Sequence, residues 1–324
     1  MQYNLLGKTG VKVSQLCFGT MSFGGDANAS EASRMYAACR DKGINFFDCA
    51  DVYNKGKAEK LLGRLIARDR DELIITSKCV SKVGDDVNAG GANRRHIVRS
   101  VEDSLKRLKT DRLDVLFMHH WDGETPLEET LRALEALVAQ GKVLYLGASN
   151  YAAWQISKGL GISERLGWPR FDVIQPMYNI VKRQAEVEVL PMAEAENLGV
   201  ITYSPVGGGL LSGKYAPGVQ PANGRLIDNQ SYITRYGEKE VMKTAGRFTQ
   251  LAEKKGIHPV SLAVAWAAAH PAVTSPIIGA RNLKQLMPAL DASDVDMTLE
   301  LRAEISHLGR TPPPPTDRLE EQVV

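Results

Sequence analysis

Eight short apolar runs punctuate the chain, at residues 16–21, 45–48, 73–78, 113–119, 143–148, 172–175, 200–203 and 275–279. Each has the length and composition of a buried strand. Between them the apolar positions recur every three or four residues, the period of a helix with one face covered. Ile97, Val101, Leu105 and Leu108 share one such face, as do Leu127, Leu131, Leu134 and Val138, and Val187, Leu190 and Ala193 before Gly199. Thr125-Pro126-Leu127-Glu128 predicts a capping box with proline at the first helical position, and Gly141 follows the last turn. Ahead of the first run, residues 3–16 read as a hairpin turning at Lys8-Thr9-Gly10. Strand then helix, eight times over, predicts a (β/α)₈ TIM barrel with an N-terminal β-hairpin, occupying residues 1–324 as a single domain. An open doubly wound sheet is the alternative.

Three segments interrupt the rhythm. Residues 81–94 are polar and rich in Gly and Asn, which predicts a loop after the third strand. Residues 206–237 hold seven glycines and two prolines and read as a long irregular stretch; such loops in compact domains are usually functional. From Thr311 a tail with four consecutive prolines is expected to run extended over the surface.

Composition narrows the function classes. A net charge of +2 gives no footprint for nucleic acid or an anionic membrane. No apolar stretch approaches the roughly 20 residues that span a bilayer, and the start lacks the features of a secretory signal. The four cysteines, Cys17, Cys39, Cys49 and Cys79, fit no metal-binding spacing. They predict buried thiols in a reduced, cytoplasmic protein without a metal site.

The candidate chemistry sits where the apolar runs end. Asp48, Lys78 and His119 close three successive runs, and Tyr53 follows the first of these by five residues. In a parallel barrel the C-terminal strand ends share one face, and catalytic side chains gather there. An acid, a phenol, an amine and an imidazole at one mouth suit proton donation to a carbonyl oxygen. A free tyrosine titrates near pH 10, and a neighbouring ammonium is expected to lower that value. Lys78 would supply the charge, Asp48 would keep Lys78 protonated, and His119 would help place the oxygen.

These four positions resemble the tetrad of the aldo-keto reductase family. So do Tyr3-Asn4-Leu5-Leu6-Gly7-Lys8-Thr9-Gly10, Gly147-Ala148-Ser149-Asn150, Ser204-Pro205 with the glycines after it, and Gly279-Ala280-Arg281. The resemblance implies an NADPH-dependent reductase of aldehydes or ketones, reversible toward alcohol oxidation, with Tyr53 as proton donor. No GxGxxG follows a strand; Gly207-Gly208-Gly209 comes nearest, with the wrong spacing. The family likewise lacks that fingerprint and holds the cofactor extended across the barrel mouth. Carried over, Ser149, Asn150 and Gln175 would hydrogen-bond the carboxamide and Tyr203 would stack on the nicotinamide. Ser204, Val206, Gly209, Leu210 and Ser212 would line the pyrophosphate. Gly279, Arg281 and Gln285 would serve the adenosine end, Arg281 gripping a 2′-phosphate, which favours NADPH over NADH. Lys214 and Arg225 are further phosphate candidates. The chain departs from the pattern at Asn54, where glycine is frequent, at His120, where arginine is common, and at Pro288-Ala289, where Glu-Asn often contacts adenine. Pro288 is also expected to kink or end the last barrel helix.

Loops after the first, fourth and seventh strands, with the tail, should wall the substrate pocket. Met21, Phe23 and Trp121 are the expected apolar contacts for a small-molecule carbonyl substrate. Two other readings remain. One is a cofactor-binding regulatory protein resembling the β subunits of voltage-gated potassium channels, with slow turnover. The other is a lyase forming a Schiff base on Lys78. A homo-oligomer is left open.

Overall fold

A computed structural model of the chain describes residues 1–215, 224–316 and 318. Strands β1 (Tyr3–Leu5) and β2 (Lys12–Ser14) form an antiparallel pair. The remaining strands are β3 (Cys17–Gly19), β4 (Phe46–Asp48), β5 (Ile74–Cys79), β6 (Leu113–Met118), β7 (Val143–Ser149), β8 (Phe171–Gln175), β9 (Gly199–Thr202) and β10 (Ser275–Ile278). They close into one barrel in the order β10-β3-β4-β5-β6-β7-β8-β9, every neighbouring pair parallel. Helices alternate with them, as the repeated strand–helix pattern predicts, and the open-sheet alternative is excluded by closure between β10 and β3.

Strand alternation divides the apolar residues into two cores. Phe46, Val115, Phe117, Val173 and Ile201 point into the cylinder, while Phe47, Ile75, Leu116, Met118 and Ile174 face the helices. The hairpin closes the bottom: Leu6 and Val13 are fully buried against the inward-facing set. Gly7 takes φ +57° beneath β9, where an added Cβ would come within 2.5 Å of the Gly199 nitrogen. Higher in the barrel, Phe117 lies over Gly147, where a Cβ would stand 2.4 Å from the ring. The same alternation turns Asp48, Thr76 and Lys78 inward and Cys49 and Cys79 outward, leaving the four thiols buried, unpaired and raised in pKa by burial.

Helix 94–108 buries Ile97, Val101, Leu105 and Leu108 and starts at Asn93, whose side chain accepts from the His96 N–H at 2.9 Å. Helix 127–139 buries Leu127, Leu131 and Leu134, with Val138 half-buried. The predicted capping box is not formed. Pro126 is the residue before the helix, and Thr125 Oγ1 instead donates to Asp122 Oδ2 at 2.7 Å. Asp122 lies in the middle of the loop between β6 and this helix, so the threonine serves that loop and not the helix. The last predicted helical face is shorter at its start: Val187 precedes helix 189–195.

Pro288 neither ends nor interrupts its helix, which runs Leu283–Leu290 and continues as a 3₁₀ turn over Asp291–Asp294. Its carbonyl accepts from Ser261 Oγ at 2.6 Å, tying it to the preceding helix. The stretch 206–237 is less irregular than its composition suggests. It holds a 3₁₀ segment at Gly207–Ser212 and helices at Arg225–Asp228 and Gln230–Tyr236; its residues 216–223 lie outside the described part. Of the tail, residues 311–316 carry no helix or strand, and the end of the expected extended segment lies outside the described residues. Among the described residues no helix is long and apolar enough to cross a membrane.

Candidate active site

The top of the cylinder replaces apolar layers with a charged one. Lys78 Nζ donates to both Asp48 oxygens at 2.6 Å, to the Cys49 carbonyl at 2.8 Å and to Tyr53 Oη at 3.3 Å. Asp48 Oδ1 also accepts from Thr76 Oγ1 at 2.8 Å and from Gln175 Nε2 at 2.9 Å. One carboxylate thus joins β4, β5 and β8. The Lys78 side chain is 0% exposed. Burial alone would depress its ammonium, but Asp48 and Tyr53 outweigh it and hold the group above its ordinary value. A buried, charged amine with these bonds is a poor Schiff-base nucleophile, which needs a neutral, accessible nitrogen.

Tyr53 reaches the cluster from the turn after β4. That turn passes through left-handed backbone at Asn54 (φ 49°), Lys55 (φ 56°) and Gly56 (φ 79°). Asparagine tolerates this conformation, which fits its place at the expected glycine position. Its side chain adds something glycine lacks: Asn54 Nδ2 donates to the carbonyls of Met21 and Phe23, both at 2.8 Å, and so fixes the loop after β3. His119 follows β6, its ring edge-on to Tyr53 with centroids 6.0 Å apart. The four sequence candidates therefore come together.

Their proton affinities differ from the sequence expectation in one respect. Burial pushes the Tyr53 phenol up to about 12; Lys78 opposes this, while Asp48 reinforces it. The cation reduces the rise without reversing it, because the phenol gives up its water and because the same cation is neutralised by a carboxylate 2.6 Å away. His119 moves the other way. Burial, then the charges of Lys78 and His120, lower it to about 3, leaving a neutral imidazole whose Nδ1 is buried without a hydrogen-bond partner.

The residues expected to hold a nicotinamide lie on the adjoining strand ends. Ser149 closes β7, Gln175 closes β8 opposite it, and Tyr203 follows β9. Tyr203 Oη donates to Asn150 Oδ1 at 2.6 Å, Asn150 Nδ2 donates to His119 O and Ser149 Oγ, and Ser149 Oγ donates to Gln175 O. Ser204 and Val206 lead into the 3₁₀ segment, where Gly208 and Gly209 take φ of 66° and 99°. Ser212 Oγ is turned onto the Gly209 carbonyl, and Leu210 buries its side chain, so that only its backbone is available to a ligand. Lys214 stands over the Tyr215 ring and Arg225 over Tyr232. Beyond β10, Gly279 is exposed, Gln285 accepts from the Arg281 N–H, and Arg281 Nε contacts Asp26 Oδ2 at 3.0 Å. Amide and hydroxyl groups of both hydrogen-bonding senses at the strand ends, with the cations Lys214, Arg225 and Arg281 in the segments that follow β9 and β10, are of the chemistry that fits a dinucleotide with a carboxamide at one end and phosphates along its length.

Of the expected pocket contacts, Met21 is exposed and Trp121 packs edge-on against Tyr151 and Trp154. Phe23 is a correction: it is fully buried against Phe18, 5.7 Å between centroids, and belongs to the core beneath the rim. Its bulk and its place after a strand suggested a wall, but the loop folds it inward. The sequence reading also missed Thr76, although its position two residues before Lys78 puts it on the same face of β5. Exposed Trp154 beside Trp121, and Asp26 at Arg281, were missed as well, and no spacing rule singles out either.

This fold with this cluster defines the class of barrel oxidoreductases. The model of the aldo/keto reductase family matches residues 15–309, and the chain belongs to that family. It is 37% identical over 302 residues to a probable voltage-gated potassium channel subunit beta of Arabidopsis thaliana, covering 91% of this chain and 92% of that protein. It is 35% identical over 329 residues to the uncharacterized oxidoreductase YrpG of Bacillus subtilis (96% and 98% covered). To the versiconal hemiacetal acetate reductase of Aspergillus parasiticus it is 33% identical over 339 residues (95% and 96% covered).

Proposed function

We propose that the protein is an NADPH-dependent oxidoreductase that reduces an aldehyde or ketone to the alcohol, reversibly, with Tyr53 as the proton donor. The observation that carries this reading is the 3.3 Å contact between Lys78 Nζ and Tyr53 Oη, set beside a neutral His119. A reduced nicotinamide, when bound, supplies a hydride, two electrons and a proton's worth of hydrogen, to the carbonyl carbon. The Tyr53 O–H gives its proton to the carbonyl oxygen, and the phenolate left behind faces the Lys78 ammonium. The phenol then regains a proton from solvent. His119 hydrogen-bonds the oxygen and does not serve as the acid, because a group at about 3 carries no imidazolium proton near neutrality. A phenol at about 12 is still far more acidic than an alcohol, so transfer to the developing alkoxide runs downhill. Asp48 keeps Lys78 charged. Ser149, Asn150 and Gln175 would hold the carboxamide, Tyr203 would pack on the ring, and Arg281 would contact the 2′-phosphate. Four buried, unpaired thiols accord with a cytoplasmic location.

The test is Tyr53→Phe, assayed by NADPH absorbance against a panel of aldehydes, ketones and sugars. Nearly all carbonyl reduction should be lost while NADPH still quenches protein fluorescence; normal turnover would refute the assignment. Similarity to potassium channel β subunits favours a second reading, a cofactor-binding regulatory protein. It requires tight NADPH binding with turnover remaining very slow across the whole panel.

A further inference from the structure

The segment after β3 is fastened to the segment after β10 at three points. Ser22 Oγ donates to Ala280 O at 2.6 Å, Asp26 Oδ2 pairs with Arg281 Nε at 3.0 Å, and Glu31 Oε2 accepts from the Leu283 N–H at 3.0 Å. Leu283 opens the helix 283–290, so Glu31 occupies one of the free N–H groups at its positive end. The Leu283 N–H and, after it, Arg34 hold the Glu31 carboxyl below the usual carboxylate range, so it is anionic near neutrality. Two carboxylates therefore stand on the donors that Arg281 and the first helical turn would offer an incoming anion.

The Asp26–Arg281 pair is open to solvent, with side chains 51% and 35% exposed. An ion pair of this kind is weak and exchangeable. We infer that Asp26 sets cofactor selectivity: it opposes a 2′-phosphate at Arg281, accepts the ribose 2′-hydroxyl where that phosphate is missing, and so lets the protein bind NADH as well as NADPH. This rests on Arg281 being the 2′-phosphate contact. In dinucleotide sites generally, an acid takes the ribose hydroxyl and an arginine takes the phosphate. Here both groups are present and paired to each other. Arginine binds phosphate best through two parallel N–H groups. Asp26 sits on Nε and so occupies one such edge, and its charge stays within a few ångströms of any phosphate held by the other. The opposite effect, Asp26 merely orienting the guanidinium, would make the carboxylate helpful to NADPH. The two accounts predict opposite signs.

The experiment titrates wild type, Asp26→Asn, Arg281→Ala and the double variant, following quenched tryptophan fluorescence. The ligands are NADPH, NADH and adenosine 2′,5′-bisphosphate, the last reporting the phosphate without turnover. Asp26→Asn should tighten NADPH and the bisphosphate about two- to fivefold, the range of a screened surface pair, and should not tighten NADH. The ratio of Kd(NADH) to Kd(NADPH) then rises, and the rise should vanish when Arg281→Ala is also present. If Arg281→Ala weakens NADPH more than NADH but Asp26→Asn leaves the ratio unchanged or lowers it, the role of Asp26 is overturned and the 2′-phosphate contact stands. If Arg281→Ala weakens both cofactors equally, the contact itself is wrong and the inference falls with it.

Discussion

Lys78→Met removes the one charge that faces both the phenol and its supporting carboxylate. At the observed 3.3 Å, an ammonium and a phenolate attract by about 5 kcal/mol at an effective dielectric of 20. The phenolate charge is only partly developed when the proton is in flight, so half to all of that energy is lost from the transition state. The corresponding fall in kcat is about 10²- to 10⁴-fold. The same substitution strands Asp48, 3% exposed, with only Thr76 and Gln175 as donors. Breaking a buried pair costs about 3–5 kcal/mol, which for a chain of this length lowers Tm by roughly 4–7 °C. A companion variant separates the two effects. Asp48→Asn together with Lys78→Met restores neutrality without restoring the ammonium, and should regain much of the stability with no return of activity. The assay is single-turnover oxidation of bound NADPH by a saturating aldehyde, alongside thermal melting of each variant. A Lys78→Met protein that is folded, binds NADPH and retains kcat within tenfold of the parent would refute the reasoning.

Direction of reaction should respond to pH. With the Tyr53 phenol at about 12, the phenolate that alcohol oxidation needs is about 10⁻⁵ of the population at pH 7. Oxidation should therefore rise close to tenfold per pH unit from 7 to 9 while reduction stays nearly level, and a level oxidation profile would exclude Tyr53 as the base. Stability should respond at Asp51, which burial, against the hydrogen bond from Ser100, raises from 3.8 to about 6. Its Oδ1 has no partner, and its Oδ2 accepts from Ser100 Oγ at 2.5 Å. Folding favours its protonated form, so its contribution is fullest below pH 3.8 and declines as pH rises through 6. Asp51→Asn should accordingly stabilise the protein at pH 7.5 by about 1–3 kcal/mol and leave it nearly unchanged at pH 3.5. Equal effects at both pH values in denaturant melts would contradict this.

The barrel was legible in the sequence because parallel strands buried on both faces leave uninterrupted apolar runs. The residues ending those runs then fall at one rim by topology alone, which is why Asp48, Lys78 and His119 could be grouped before any coordinates. Tyr53, five residues past the first of these ends, could be placed at the same rim on the same ground. What escaped was whatever depends on distance between remote segments. Asp26 and Arg281 are far apart in the chain, and neither belongs to a periodic pattern. Phe23 reads equally well as rim or core, and only the path of the loop pinned by Asn54 decides. The acidity of Tyr53 was misjudged for a related reason. The sequence places the cation nearby, but it cannot weigh lost hydration, or the share of that cation taken by Asp48.

The Asp48 carboxylate binds partners from two strands besides its own, one of them on the far side of the ring. Reactive groups in many enzymes hang from the scaffold and can be deleted without harm to it. Here the charge that the proposed mechanism relies on also cinches the staves of the cask together. Replacing the acid at that position should therefore loosen the barrel mechanically as well as remove the charge that the proposed mechanism needs.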